Sequence, residues 1–539
     1  MKFHYKKIRL SRHLLSVAFT VLWLPLPSFA ATSASKNGVT WTFDRDCITG
    51  QYANGDPWVV GPVTITSISP LPIEGRHGTM INPNIGSSQG FDNGLGSNPY
   101  VSALNVGKNL PITVATDSSV VSSITADAYI AFGTIQMFSI LTVVQNAPAV
   151  GSFRPPAVGN GSRASVWNES QLDYSKLNTL ARAPLTAAPS ISSYAQWFSY
   201  PWLEIDADWT GRYLHPLYMA EAGYGRELAV RTGTAALLLN LDYTNTEKRD
   251  LLVGVVQAGI DNYGFVSKGG VWYNDGGHNI GRLSPLIIAA GVLNDNNMKS
   301  VIMGSAMKFQ EFQTTFFVSQ EDVDRLREAA PTGDAVHPYT VSNIGLAEWG
   351  IRHTSIPQWD NNYWAAAYRD INALTFAATT MAAKVMGLRS TINWEPLFQY
   401  TDRYLDYEQS AGYAGEFAYN PTPVFFRQFY NTYKNATLGS GGPVIVVSPV
   451  ATFSVGDRIQ VSNDTNVLST GALTATLLGV QIANSTGTIV GGPIAKDANN
   501  ITWWQVDFDA GADGWSGQDN FVKLAVQKPS KPEGLRVVK

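Results

Sequence analysis

The chain reads as a multidomain α+β protein, with a β-sandwich-like N-terminal part, an α-helical middle and a small β module towards its end. Three observations carry that reading. Short alternating apolar runs, broken by Gly, Asn, Pro and Ser, fill about residues 38–150. Stretches rich in Ala, Leu and Met with helical spacing follow over about 190–435. The sequence Gly439-Ser440-Gly441-Gly442-Pro443 then sets off a second alternating region at 450–526. At roughly 150 residues per domain, 539 residues suit about three domains.

Residues 1–30 have the three parts of a cleavable signal peptide. Lys6, Lys7, Arg9 and Arg12 form a basic start, and Leu14 to Leu26 is almost wholly apolar. Ser28-Phe29-Ala30 puts small residues at the two positions a signal peptidase reads. The apolar run falls short of the roughly 20 residues that cross a bilayer, and Pro25 and Pro27 interrupt it. The expectation is a secreted or periplasmic protein that spans no membrane and begins near Ala31.

Residues 31–150 form the expected β-rich domain. Val39-Thr40-Trp41-Thr42-Phe43 and Val63 to Ile68 alternate with period two, and Ile135 to Val144 reads as a strong final strand. Frequent turn residues between short strands suggest a sandwich. Residues 151–435 form the expected helical, catalytic domain. Helices are predicted at Arg226–Leu239, Glu247–Ile260, Ser284–Ala290 with Pro285 near its start, Ala365–Met386 and Trp394–Tyr407. Helical pairs wrapped into a toroid, or an irregular bundle, would both fit this spacing. Residues 436–449 read as a linker, 450–527 as the second β module and 528–539 as a flexible tail.

Charged residues are only 15% of the chain and the net charge is −4, so no basic surface argues for nucleic acid. Cys47 is the single cysteine, which excludes an internal disulfide. With 15 Trp, 23 Tyr and 23 Phe the chain has rings both for a large core and for stacking on sugars.

Histidine marks the candidate chemistry. His215, His278, His337 and His353 all fall in the helical region. His278 stands in the richest setting, Trp272-Tyr273-Asn274-Asp275-Gly276-Gly277-His278-Asn279-Ile280-Gly281-Arg282, just before a helix. Its glycines allow tight turns and close ligand approach, and loops on rigid helices commonly carry function. Arg212, Arg226, Arg282, Arg352 and Arg369 make an anionic sugar a fitting partner, while some of them must pair with Glu221, Glu227, Glu348 or Asp370.

Two resemblances sharpen the picture. Residues 450–527 resemble bacterial SH3-like domains in their Gly456-Asp457 opening, Gly487-Thr488-Ile489-Val490, the Trp503-Trp504 strand and the Asp513-Gly514-Trp515 turn. That implies a small β-barrel used for binding or spacing. The tail Pro529 to Val537 resembles the first strand of a fibronectin type III domain. The larger part of the chain, about 40–405, resembles secreted polysaccharide lyases with an (α/α) toroid, in particular glucuronan and alginate lyases of family 38. The stretches that carry this are Trp41-Thr42-Phe43-Asp44, Gly50 to Asp56, Gly75 to Pro83, Phe153-Arg154-Pro155-Pro156, Tyr224-Gly225-Arg226-Glu227, the Gly-Gly-His-Asn-x-Gly-Arg loop, Glu348 to His353 and Asp402-Arg403-Tyr404.

The resemblance implies β-elimination at a uronic acid, and no cofactor or metal is expected. That chemistry needs a base for the C5 proton, a donor for the O4 leaving group and a neutraliser for the carboxylate. It puts His278 first as base or neutraliser, Arg352 on the carboxylate by its two-pronged fork, Tyr363, Tyr339 or Tyr368 as acid, and Asn274 or Asn279 as further neutralisers. The expected substrate contacts are His215, Tyr218, Arg212, Trp272, Tyr273, Asn279, Arg282, Glu348, Trp349, His353, Tyr368 and Arg369. Where the family pattern places an Asn near positions 217–219, this chain has Leu217, Tyr218 and Met219.

Two other functions fit the same residues. A glycoside hydrolase on a helical toroid would need two carboxylates about 5–10 Å apart, and Asp206, Asp208, Asp275, Asp334 and Glu348 are the candidates. A non-catalytic glycan-binding protein would bind without making product. His215, His278 and His353 could also converge on zinc, but no fixed-spacing motif supports it.

Overall fold

The computed structural model describes residues 29–130, 133–206, 208–216, 218–219, 225–324, 339–350, 367–410, 423–436, 453–461, 465–472, 475–482, 484–494 and 502–524. Most of the leader, the linker, the tail, and His337, Arg352, His353 and Tyr363 lie outside these residues, as does the side chain of Tyr368. The fold is mixed α+β, in two compact units, Met1–Val444 and Ile445–Lys539. No described helix is long and apolar enough to cross a membrane.

The first unit opens with eight strands: β1 (Phe29–Lys36), β2 (Val39–Gln51), β3 (Pro57–Val60), β4 (Val63–Ser69), β5 (Thr79–Ile81), β6 (Ile112–Val114), β7 (Ser118–Ile130) and β8 (Gly133–Val144). They belong to one curled sheet of order β5-β7-β8-β3-β2-β4-β6, with β1 paired to β2. Only β3 and β8 run parallel among these pairs. Cleavage after Ala30 would leave the pairs from Ala31↔Cys47 to Lys36↔Val39.

The expected two-sheet sandwich is therefore a single sheet in the structure, and the reason lies in its two faces. On one face Val39, Trp41, Phe43, Val63, Ile65, Val120, Leu141 and Val143 make a core. On the other, Val121, Phe138 and Ile140 pack against Leu203, Ile205 and Leu214 from the chain leading into the helices. Burial on both faces explains why β8 carries apolar residues on both sides, as in Phe138, Ile140, Leu141 and Val143, rather than a strict alternation.

Helices follow: α1 (Ile191–Trp197), α2 (Gly225–Leu239), α3 (Asn245–Ser267), α4 (Leu283–Val292), α5 (Asn296–Val301), α6 (Gln310–Gln313), α7 (Gln320–Asp324), α8 (Ala367–Val385), α9 (Arg389–Ile392), α10 (Glu395–Ser410) and α11 (Val424–Tyr433). All five helices predicted from periodicity are present, as α2, α3, α4, α8 and α10. Thr244 caps α3 in a reciprocal box with Glu247. From Leu251 to Asn262 every residue of α3 is buried, because helices and the incoming chain pack all around it. Gly259 makes this possible: a Cβ there would lie 2.5 Å from the Pro285 carbonyl of α4. Two short strands, β9 (Thr315–Phe317) and β10 (Ala347–Trp349), pair antiparallel beside these helices.

A fully buried ion cluster ties the sheet to the helices. Arg154 donates to Asp56 (2.7 Å), which precedes β3, and to Asp261 of α3 (2.9 Å). Burial alone would lower the arginine's pKa, but the two carboxylates more than reverse that and push it up. Two of the stretches that resemble the lyases, Gly50–Asp56 and Phe153–Pro156, thus meet in a structural staple.

The second unit holds β11 (Arg458–Val461), β12 (Thr465–Leu468), β13 (Leu477–Gln481), β14 (Thr486–Ile494), β15 (Trp503–Phe508), β16 (Gly514–Gly517) and β17 (Phe521–Lys523). They form one antiparallel sheet of order β13-β12-β16-β15-β14-β11-β17 over a core of Ile459, Val461, Val467, Ile489, Trp504, Val506, Phe508 and Phe521.

Candidate active site

The loop between α3 and α4, residues 268–282, is held in place from below. Gln310 of α6 accepts from the Asn279 N–H (3.2 Å) and donates to the Gly276 carbonyl (2.6 Å). Asn372 of α8 donates to the same carbonyl (3.0 Å). Glu311 accepts from the Gly281 N–H (2.9 Å), and Gln313 accepts from the Asn274 N–H (3.1 Å). Gly281 sits at φ +92° against Ala229 of α2, where a Cβ would come within 2.4 Å of the Ala229 Cα. The glycines thus serve close packing, and the loop is a braced element.

Arg282 anchors its end. It is 3% exposed and donates to Glu204 (2.9 Å), to the His278 carbonyl (2.8 Å) and to the Ile280 carbonyl (3.0 Å). Its other nitrogen donates to His215 Nε2 at 3.0 Å. Glu204 stands 3.4 Å from that same Nε2. The imidazole edge thus sits between the guanidinium and the carboxylate. Burial would raise the Glu204 pKa, but Arg282 and His215 outweigh it and hold it at about 2.

Above this buried cluster lies an accessible one. Asp208 caps the short turn Trp209–Leu214, which presents Trp209, Arg212 and Tyr213. The Trp209 ring is 36% exposed and lies 6.5 Å from the half-buried His278 ring. The Arg212 guanidinium stands 5.1 Å from the Trp209 ring centre and 4.8 Å from that of Tyr213, and it donates to the Tyr213 hydroxyl at 3.0 Å. An aromatic platform, a guanidinium, a phenol and an imidazole are therefore neighbours.

A second cluster collects around Glu348 of β10. Arg369 of α8 (3.0 Å), Tyr339 (3.2 Å) and Arg403 of α10 all donate to its carboxylate, and Tyr400 lies 3.3 Å from Arg369. Arg369 is fully buried and Glu348, Tyr339 and Trp349 nearly so.

Several expected contact residues fall elsewhere. Trp272 is fully buried and stacked between Phe265 (4.6 Å) and Phe309 (5.2 Å), so no face of its ring is open to a sugar. Tyr218 is buried with its hydroxyl donating to the Pro201 carbonyl (2.8 Å), and burial pushes its pKa well above the usual phenol value. Asn279 spends its amide on the Tyr273 carbonyl (2.9 Å), while Tyr273 itself is 59% exposed. Of the hydrolase carboxylates, Asp206 accepts from Asn98, Thr210 and the Asp208 N–H, and Glu348 is bound as above. Asp334 lies outside the described residues.

Sequence reasoning missed Trp209, Tyr213 and Glu204 as parts of a site. The signal for the first two was present in Trp209-Thr210-Gly211-Arg212-Tyr213, an aromatic–arginine–aromatic run just before His215. Glu204 gave no such signal, since it meets Arg282 across 78 residues. Among the described residues no group of His, Cys, Asp and Glu is gathered to hold a metal ion. No known family, no curated protein and no solved structure matches the chain.

Proposed function

We propose that the chain is an exported polysaccharide lyase that cleaves an anionic, uronic-acid-containing polymer by β-elimination, on a helical toroid followed by an SH3-like module. The observation that carries this reading is the accessible group of Trp209, Arg212, Tyr213 and His278. A uronate ring can lie on Trp209 with its carboxylate to Arg212, whose fork matches two oxygens. His278 then takes the C5 proton, and the freed electron pair forms the C4–C5 double bond. The C4–O4 bond breaks, and Tyr213 returns a proton to the leaving oxygen. Arg212 offsets the charge that builds on the carboxylate as the C5 proton leaves.

In this reading Arg282 and Glu204 are positioning residues: they fix the backbone on which His278 stands. The Glu348–Arg369–Tyr339 group acts through packing, because it is sealed from solvent. The hydrolase reading draws less support, since Asp206 and Glu348 are already committed to hydrogen bonds and ion pairs.

The test is a screen of uronate polymers at the absorbance of the unsaturated product. Native protein should generate that absorbance on at least one polymer, and His278→Ala should lose about 10²–10⁴ of the rate. Reducing ends formed without new absorbance would overturn the elimination, and an unimpaired His278→Ala would overturn the site.

A further inference from the structure

A cleft of about 330 Å³ opens on the Asn274 side of the same loop, within the size range of small-molecule sites. Its walls are Phe312, Phe316, Trp394 and Met307, with Gln313 and Thr315 between them. None of the described residues that line it is charged. We propose that this cleft binds an uncharged pyranose unit of the substrate.

The aromatic wall is set before any ligand arrives. The Trp394 indole N–H donates to Thr315 Oγ1 (3.0 Å), and the Phe312 ring meets the indole edge-on at 6.4 Å. Gly304 packs so closely that a Cβ there would fall 2.2 Å from the Trp394 Cβ. A ring held in this way loses little freedom on binding.

The polar atoms decide the charge of the ligand. Gln313 has spent both amide hydrogens, on the Trp272 carbonyl (3.2 Å) and the Met307 carbonyl (2.9 Å). Thr315 has spent its hydroxyl hydrogen on the Glu311 carbonyl (2.8 Å). What Gln313 and Thr315 still offer is oxygen lone pairs. A carboxylate entering here would meet these acceptors and the uncharged Asn274 amide, with no charged side chain among the described lining residues. A neutral sugar ring supplies the opposite set, hydroxyl donors at its rim and a C–H face for the aromatic wall.

Asn274 and His278 share one braced loop, so the uronate at the candidate catalytic group would have an uncharged neighbour in its own chain. The substrate is then a heteropolymer of uronate and neutral sugar rather than a pure uronate chain. That step rests on the lyase reading, whereas binding in the cleft does not.

Binding to the full-length protein is measured by calorimetry and saturation-transfer NMR with millimolar cellobiose, xylobiose, mannobiose and galactobiose, and with digalacturonate as the anionic probe. At least one neutral disaccharide should bind, and digalacturonate should not compete for it. Trp394→Ala should weaken that binding about tenfold, the loss of one stacked ring. Met307→Trp should abolish it by filling the cleft from the half-exposed lip, leaving the packed wall intact. No binding by any neutral probe, or equal affinity in both variants, would overturn the proposal. Neutral binding without cleavage of any polymer would sink the lyase and leave the cleft standing. Cleavage without neutral binding would do the reverse.

Discussion

Glu311 offers the sharpest test of the electrostatics beneath the loop. It is 1% exposed, one oxygen accepts from the Gly281 N–H at 2.9 Å, and the other has no hydrogen-bond partner. Burial raises its pKa to about 7, against the partial offset of the Gly281 N–H, a backbone hydrogen bond and Arg282. The unfolded value is near 4.5. The folded chain therefore holds this proton more tightly than the unfolded chain does. Its contribution is fully present below about pH 4.5, declines as pH rises between about 4.5 and 7, and is lost above that. The difference between 4.5 and about 7 corresponds to about 3 kcal/mol. Glu311→Gln keeps an acceptor for Gly281 and removes the titration. Its unpaired amide adds an offset that does not vary with pH. Denaturant unfolding of both proteins from pH 4 to 8 should show the native chain losing about 3 kcal/mol relative to the variant across that range. A difference that stays constant with pH would refute the reasoning.

Two further outcomes follow from the packing. Arg154→Met leaves Asp56 and Asp261 buried without their cation and should cost about 3–5 kcal/mol in thermal or denaturant unfolding; replacing both aspartates with Asn in the same chain should recover much of it. Gly281→Ala forces a Cβ into Ala229 at a positive φ and should cost about 2–3 kcal/mol, with uronate cleavage falling alongside the melting temperature because the His278 backbone shifts.

Much of the scaffold was legible in the chain. Periodicity located α2, α4, α8 and α10 to within a few residues and the start of α3, which runs on to Ser267, seven residues past the predicted end, since apolar spacing acts within one or two turns. The loop at 269–282 was equally visible, because Gly, Asn and Asp mark a turn by their own backbone preferences. Its glycines were read as room for a ligand, whereas Gly281 makes room for Ala229.

What no local pattern conveyed was which side chains would be enclosed and with whom. A tryptophan looks the same in sequence whether it is sealed like Trp272 or open like Trp209. An arginine in a motif looks catalytic whether it binds ligand or, like Arg154, clamps a sheet to a helix through Asp261, 107 residues away. The alternating runs of the first 150 residues specified strands but not that both faces of one sheet would be covered. Secondary structure answers to neighbours along the chain, and those are written in order. Burial, ion pairing and the partners of His215 and Glu204 answer to neighbours in space, which exist only once the chain has folded.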